Sequence, residues 1–351
     1  MASKDIALPA DAEDTISSVS WSPVSDHLAA ASWDGKVRVY GVARNESVVG
    51  VAMLRADGPV FDCDWAKSKD GTVILAGGAD KKLHLLHAPT SQQATVGSHE
   101  APIRGVRFVE VPGSNAPIIA TGSWDKTVKF WDMRQPTPLA ALACGERVYS
   151  MDAKAQLLVV ATAERHVHLV DLRSPTTFLR TTESPLRHQT RAATVFPDGK
   201  GWGLASIEGR CAIVALDEKD SRYCKIILST PIADRKSTFT FRCHREQPDR
   251  GVTKVWAVND VQFHPTRPTV FTTAGSDGTF SFWDRVARSR LKSYSPAGAA
   301  ITSTRFNRDG SLFAYAVGYD WSMGCARNSP EIQTKLMLHR VLPEESKGGN
   351  K

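Results

Sequence analysis

The chain has 351 residues, 42% hydrophobic and 23% charged, with a formal charge of +7. No apolar run approaches the roughly 18 residues that a membrane span needs, and the N-terminal stretch mixes Asp, Glu and Lys with no apolar core of a secretory signal. Six scattered cysteines form no CxxC pair and have no histidine at zinc-ligand spacing, so they read as reduced thiols of the cytoplasm or nucleus, with neither a disulfide framework nor a metal site.

In chain order, DIALP at residues 5–9 is followed by VSWSP, HLAAAS and SWDGKVRVYG, a strand ending in a turn and then a hairpin. The same unit returns. GADKKLHLLH, SWDKTVKFWD, TAERHVHLVD, SIEGRCAIVA, GSDGTFSFWD and GYDWSMGCAR each carry an acid near a small residue, giving Asp34, Asp80, Asp125, Glu164, Glu208, Asp277 and Asp320 at spacings of 46, 45, 39, 44, 69 and 43. Short apolar runs precede these turns and alternating runs follow them, so the acid sits in a hairpin turn whose backbone N–H groups its carboxylate satisfies. Strand–turn signals such as ATVFPDG, VQFHP and TRFNRDG supply one more strand per unit. Seven four-stranded units at this period predict an all-β, radially arranged β-propeller. The last unit is one strand short, and DIALP is placed to fill it and close the ring, leaving no open edge. Residues 1–342 are thus one seven-bladed domain, with a long insertion in the fifth blade at about 217–255 and a disordered tail expected at 343–351.

These strings resemble the WD-repeat family over essentially the whole chain, and His99, Asp125 and Trp131 fit that family's structural hydrogen-bond set. On this reading the Trp-Asp pairs mark third strands and are scaffold. Catalysis finds no support: GKGWG at 199–203 enters a strand and does not open a helix, and Cys243 and His244, adjacent on an extended strand, point to opposite faces. An enzyme is not expected, and no cofactor is.

Longer strings narrow the resemblance. ESPLRHQTR, SIEGR, FTFRCHR and AVNDVQFHP are similar to segments shared by the nuclear-pore mRNA export factor (Rae/Gle type) and the spindle-checkpoint propeller, while VVATAERHVHLVDL, GSDGTFSFWDRVARSRLK and GYDWSMG resemble the export factor. The resemblance implies a binding protein of the nucleus and nuclear envelope, at the pore complex and shuttling to the cytoplasm. It would dock the acidic GLEBS hairpin motif of a phenylalanine-glycine nucleoporin and contact single-stranded RNA in mRNP. The alternatives are a checkpoint propeller taking GLEBS-like motifs of mitotic proteins, and a generic WD-repeat scaffold.

Two surfaces are expected to carry these contacts. The repeat turns place Lys36, Lys81, Lys82, Lys126, Arg165 and Arg210 one or two residues after their acids, a cationic arc suited to an acidic peptide, with Arg242 and Arg245 of FTFRCHR as further candidates. On the opposite face, Trp283 with Arg285, Arg288, Arg290 and Lys292, flanked by Phe239, Phe241, Arg235 and Lys236, combines rings for base stacking with cations for phosphates.

Overall fold

The computed structural model describes residues 5–9, 11–43, 47–67, 70–113, 117–216 and 238–347. Its first strand, β1 (Ile6–Ala7), belongs to the last blade. Blade 1 follows with β2 (Ile16–Trp21), β3 (His27–Ser32), β4 (Lys36–Val42) and β5 (Val48–Arg55). Blade 2 holds β6 (Val60–Trp65), β7 (Val73–Gly78), β8 (Lys82–His87) and β9 (Gln92–Ser98), and blade 3 holds β10 (Ile103–Val109), β11 (Ile118–Ser123), β12 (Thr127–Asp132) and β13 (Ala140–Ala143). Blade 4 is β14 (Val148–Lys154), β15 (Leu157–Thr162), β16 (His166–Asp171) and β17 (Arg180–Glu183). Blade 5 is β18 (Thr190–Val195), β19 (Gly201–Ser206), β20 (Arg210–Ala215) and β21 (Phe239–Arg242). A separate hairpin, β22 (Arg245–Asp249) with β23 (Val252–Val255), precedes blade 6, which is β24 (Val258–Phe263), β25 (Val270–Gly275), β26 (Phe280–Asp284) and β27 (Ser289–Ser293). Blade 7 is β28 (Ile301–Phe306), β29 (Leu312–Val317) and β30 (Lys335–Arg340), completed by β1.

The sequence dictates this order through burial. The second strand of a blade is covered on both faces by its neighbours, which is why β11 (IIATGS), β15 (LLVVAT) and β25 (VFTTAG) are buried at every position and read as continuous small or apolar runs. Seven apolar clusters among the described residues lie between successive blades, the last joining Leu8, Ile16 and Val19 to Ala314, Leu336 and Leu338. Packing is close enough to demand glycine at Gly97, where a Cβ would stand 2.3 Å from the Trp131 ring.

Polar seams link the inner strands. Asp62 accepts from Val106 N–H, Asp152 from Val195 N–H and Asp260 from Thr304 N–H, tying blades 2 to 3, 4 to 5 and 6 to 7. Arg107 to Asp152, Arg191 to Asn259, Val19 N–H to Ser303 and Ser18 to Asp62 tie the other four junctions. Within blade 3, His99 bridges Asp125 (2.7 Å) and Thr121 (2.7 Å), and Trp131 Nε1–H donates to the same Thr121 hydroxyl at 2.7 Å. Blade 6 repeats the set with His244, Asp277, Thr273 and Trp283. Burial lowers the His99 pKa against the pull of Asp125, whose own pKa is lowered because bonds from Thr127 and His99 outweigh its desolvation.

Closure by residues 5–9 holds: Ile6 pairs with Leu338 and Ala7 with Met337. One expected boundary needs correction. The tail does not begin at 343: Pro343–Glu345 forms a 3-10 turn, and Glu345 is buried, bonded to His339 Nε2 (3.0 Å), Lys292 (2.6 Å) and Leu342 N–H (3.0 Å). Of the insertion expected at about 217–255, residues 217–237 lie outside the described residues, β21 is the fourth strand of blade 5, and β22–β23 forms a ribbon of its own.

Candidate functional site

Each blade's turn between second and third strands places one residue in the left-handed region directly after the repeat acid. These are Gly35, Lys81, Lys126, Arg165, Gly209, Gly278 and Trp321, with φ of 80, 68, 69, 65, 59, 75 and 61°. Glycine takes that conformation freely, whereas a bulky residue there is strained. Trp321 is held in it by stacking on Trp33, with ring centroids 4.8 Å apart.

The first two strands of every blade also share a register shift at one level, at Ile16/Ser18, Val60/Asp62, Ile103/Gly105, Val148/Ser150, Thr190/Ala192, Val258/Asp260 and Ile301/Ser303. Such bulges re-aim a side chain. The bulged residues Phe61, Arg104, Tyr149, Arg191 and Asn259 stand at the mouth of the central channel on the turn face. Phe61 lies 5.6 Å from both Trp33 and Trp124, and Arg191 donates across the channel to Asp320 O at 2.9 Å. Trp33, Phe61, Trp124 and Trp321 therefore form an apolar rim, with Trp124 37% exposed, and Ile207 in the blade 5 turn is 42% exposed.

Sequence reasoning missed this rim because it treated every Trp-Asp pair alike. Trp131-Asp132 and Trp283-Asp284 do end third strands, and both indoles serve the scaffold. Trp33-Asp34 and Trp124-Asp125 instead occupy turns. The signal that separates them is position relative to the repeat acid.

The cationic arc exists, but carboxylates cover most of it. Lys36 pairs with Glu13 at 2.9 Å, Lys82 with Asp57 at 2.7 Å, Lys126 with Glu146 at 2.8 Å, and Arg165 with Glu183. Lys81 occupies its turn by a left-handed backbone, its carbonyl accepting from His99 N–H. Blade 5 differs. Arg210 lies 3.4 Å and Arg245 3.2 Å from the same Glu208 carboxylate, and Arg245 is anchored by bonds to the Glu208 and Gly209 carbonyls. Arg242 stands directly opposite Arg210 in the β20–β21 ladder. Like charges so placed repel, and one carboxylate cannot neutralise three guanidinium groups.

On the outer edge between blades 5 and 6, the second predicted set resolves differently. Phe241 packs 4.7 Å from Trp283, Arg290 lies over the Trp283 ring at 5.9 Å, and Arg288 over Phe239 at 5.0 Å. Arg288 and Arg290 are exposed, and Phe239, Phe241 and Trp283 are half-buried. Arg285 is corrected: it is buried, donates to Pro268 O at 3.0 Å and lies over Phe196 at 4.6 Å, so it is part of the scaffold. Lys292 is held by Glu345. Arg235 and Lys236 lie outside the described residues.

The closed ring of seven four-stranded blades, with a repeat acid in each second-to-third strand turn and the His–Asp–Thr–Trp set of blades 3 and 6, defines a WD-repeat β-propeller. The WD domain, G-beta repeat model matches residues 7–41, 90–132 and 235–284. The chain is 45% identical over 347 residues to the mRNA export factor GLE2 of Chaetomium thermophilum, covering 98% of this chain and 92% of that one. It is 44% identical to the Poly(A)+ RNA export protein of Schizosaccharomyces pombe, covering 98% and 92%. To Protein Rae1 of Drosophila melanogaster it is 38% identical, covering 97% and 94%. The chain belongs to the Rae/Gle family of WD-repeat mRNA export factors.

Proposed function

We propose that this chain is a non-catalytic docking propeller of nuclear mRNA export, working at the pore complex of the nuclear envelope and shuttling to the cytoplasm. Its turn face takes the acidic GLEBS hairpin of a phenylalanine-glycine nucleoporin, and its blade 5–6 edge meets single-stranded RNA. The names of its relatives support export over a checkpoint role.

The observation that carries the reading is the arginine excess at blade 5, where Arg210 and Arg245 share the Glu208 carboxylate and Arg242 faces Arg210 across the ladder. An acidic, partly apolar hairpin complements both features: its carboxylates meet guanidinium forks, which bind carboxylate bidentately, while its apolar residues cover Trp124 and Ile207. Lys36, Lys82, Lys126 and Arg165 act as a polar rim already neutralised, contributing complementarity more than affinity. The RNA contact rests on Arg288 and Arg290 for phosphates and on Phe239, Phe241 and Trp283 for stacking.

Titration of a GLEBS peptide into wild type and Arg210→Glu tests the reading. The variant is expected to lose about 2–5 kcal/mol of affinity with unchanged melting. Wild-type affinity in the variant would leave the arginine cluster without a role in docking.

A further inference from the structure

Blade 5 holds two thiols that the docking reading does not use. Cys211 lies on β20 and Cys243 directly after β21, and their Sγ atoms stand 3.6 Å apart in the apolar layer between blades 5 and 6. The ladder explains the approach. Cys211 opposes Phe241, and Cys243, two residues further on, donates its N–H to Gly209 O at 3.0 Å, so the two cysteines are diagonal neighbours on one face. The other buried cysteines face oxygens: Cys63 Sγ reaches the Ser18 hydroxyl and carbonyl, and Cys144 Sγ the Leu142 carbonyl. The pair is asymmetric. Cys211 is fully enclosed, and burial together with the neighbouring Cys243 thiol pushes its pKa well above the ordinary thiol range, whereas Cys243 is 7% exposed. Each cysteine follows one arginine of the opposed pair, Arg210 and Arg242. β21 is a four-residue outer strand, free to shift along β20. Beyond it His244, at a left-handed φ of 48°, is pinned by its bonds to Asp277 and Thr273, so any movement falls on β21.

We propose that Cys211 and Cys243 are a redox site, which hydrogen peroxide converts to a disulfide across β20 and β21, and that closing this bond weakens the docking of an acidic peptide at Arg210 and Arg242. The second half rests on the docking reading above. The Cys243 thiolate attacks one peroxide oxygen and breaks the O–O bond, giving a sulfenic acid and a hydroxide that takes up the proton Cys243 released. The Cys211 sulfur then attacks the sulfenic sulfur, forming the S–S bond as the S–O bond breaks, and the departing hydroxide leaves as water with the Cys211 proton. Two thiols are oxidised, one peroxide is reduced and two waters form. Diagonal neighbours in a ladder have Cα atoms about 7–8 Å apart, and a relaxed disulfide needs about 4.4–6.8 Å, so closure draws β21 along β20 and moves Arg242 from its place opposite Arg210. A bond strained in this way is readily reduced, which suits a signal in a reducing compartment.

The test uses the full chain with Cys224→Ser and Cys325→Ser, the latter removing the exposed thiol. Reduced protein is treated with hydrogen peroxide, free thiols are blocked, and a non-reducing tryptic digest is read by mass spectrometry. Trypsin cuts after Arg210 and Arg242, so the peptides starting at Cys211 and Cys243 separate unless the disulfide joins them. The joined peptide is expected, and dithiothreitol is expected to abolish it. With Cys211→Ser added, Cys243 is expected to stop at a sulfenic acid that dimedone traps. Calorimetry with an acidic GLEBS peptide is expected to show affinity at least about tenfold lower after oxidation, the loss of one charge-assisted hydrogen bond, with recovery on reduction; in the Cys211→Ser protein peroxide is expected to leave affinity unchanged. Recovery of the two cysteines on separate peptides after peroxide treatment overturns the redox site. The joined peptide with undiminished affinity overturns the coupling to docking. A reduced chain that does not bind the peptide refutes the docking reading and the coupling with it, while the joined peptide still decides the redox site.

Discussion

Replacing Arg242 with threonine is expected to move stability and binding in opposite directions. Arg242 is exposed at the end of β21 and faces Arg210 across the ladder, while Glu208 lies 3.4 Å from Arg210 and is shared with Arg245. Relief of a directly opposed like-charge pair is worth about 0.2–1 kcal/mol, and threonine suits a strand at least as well as arginine. Unfolding in urea should therefore shift to a higher midpoint at unchanged slope. On the proposed docking, the same change removes a charge-assisted hydrogen bond to the acidic motif, expected to cost about 1.5–3 kcal/mol, or about 12- to 160-fold in affinity by calorimetry at fixed ionic strength. A fall in stability of 1 kcal/mol or more would make Arg242 a scaffold residue. Affinity within threefold of wild type would remove it from the docking surface.

Asp125→Ala should cost about 2–4 kcal/mol, since it strands the buried His99, whereas Glu164→Ala, at an exposed turn, should cost below about 0.5 kcal/mol; chemical denaturation compares them. His339 has a raised pKa: burial opposes its charge, but Asp5 and Glu345 on either side prevail. The folded state then binds this proton more tightly than the unfolded chain, so the contribution is complete below the unfolded value of about 6.5 and disappears as pH rises through the higher folded value. The stability gap between wild type and His339→Gln should accordingly be wide near pH 6 and narrow toward pH 9, and a pH-independent gap would refute the charged His339. Changing Arg288 and Arg290 together to glutamate should flatten the log–log salt dependence of single-stranded RNA binding by at least about 1.4, at roughly 0.7 per lost phosphate contact; an unaltered slope would place the RNA elsewhere.

The blades were legible because their signal is periodic. One acid per turn, one buried second strand and one missing strand at the end sufficed to place the repeats and the closure. At the proposed site the sequence showed cations by position alone, as at Arg210 and Arg242, which the ladder sets opposite each other. Counter-charges were hidden, since Glu13, Asp57, Glu146 and Glu183 reach the turn cations from connections that no local pattern links to them. Arg285 read as part of a basic run, yet the third-to-fourth strand turn directs it inward to Pro268 O.

Ring closure also sets a timetable. Asp5 and the His339 it bonds are 334 positions apart, so the first strand leaves the ribosome long before its partner exists. At about 5–20 residues per second the delay is about 17 to 67 s. Through that interval the N-terminal segment and blade 1 present Leu8, Ile16 and Val19 with no Ala314, Leu336 or Leu338 to cover them. The nascent propeller thus passes through an open, sticky crescent whose two ends cover each other in the closed ring, and a truncation at either terminus leaves the same seam unhealed.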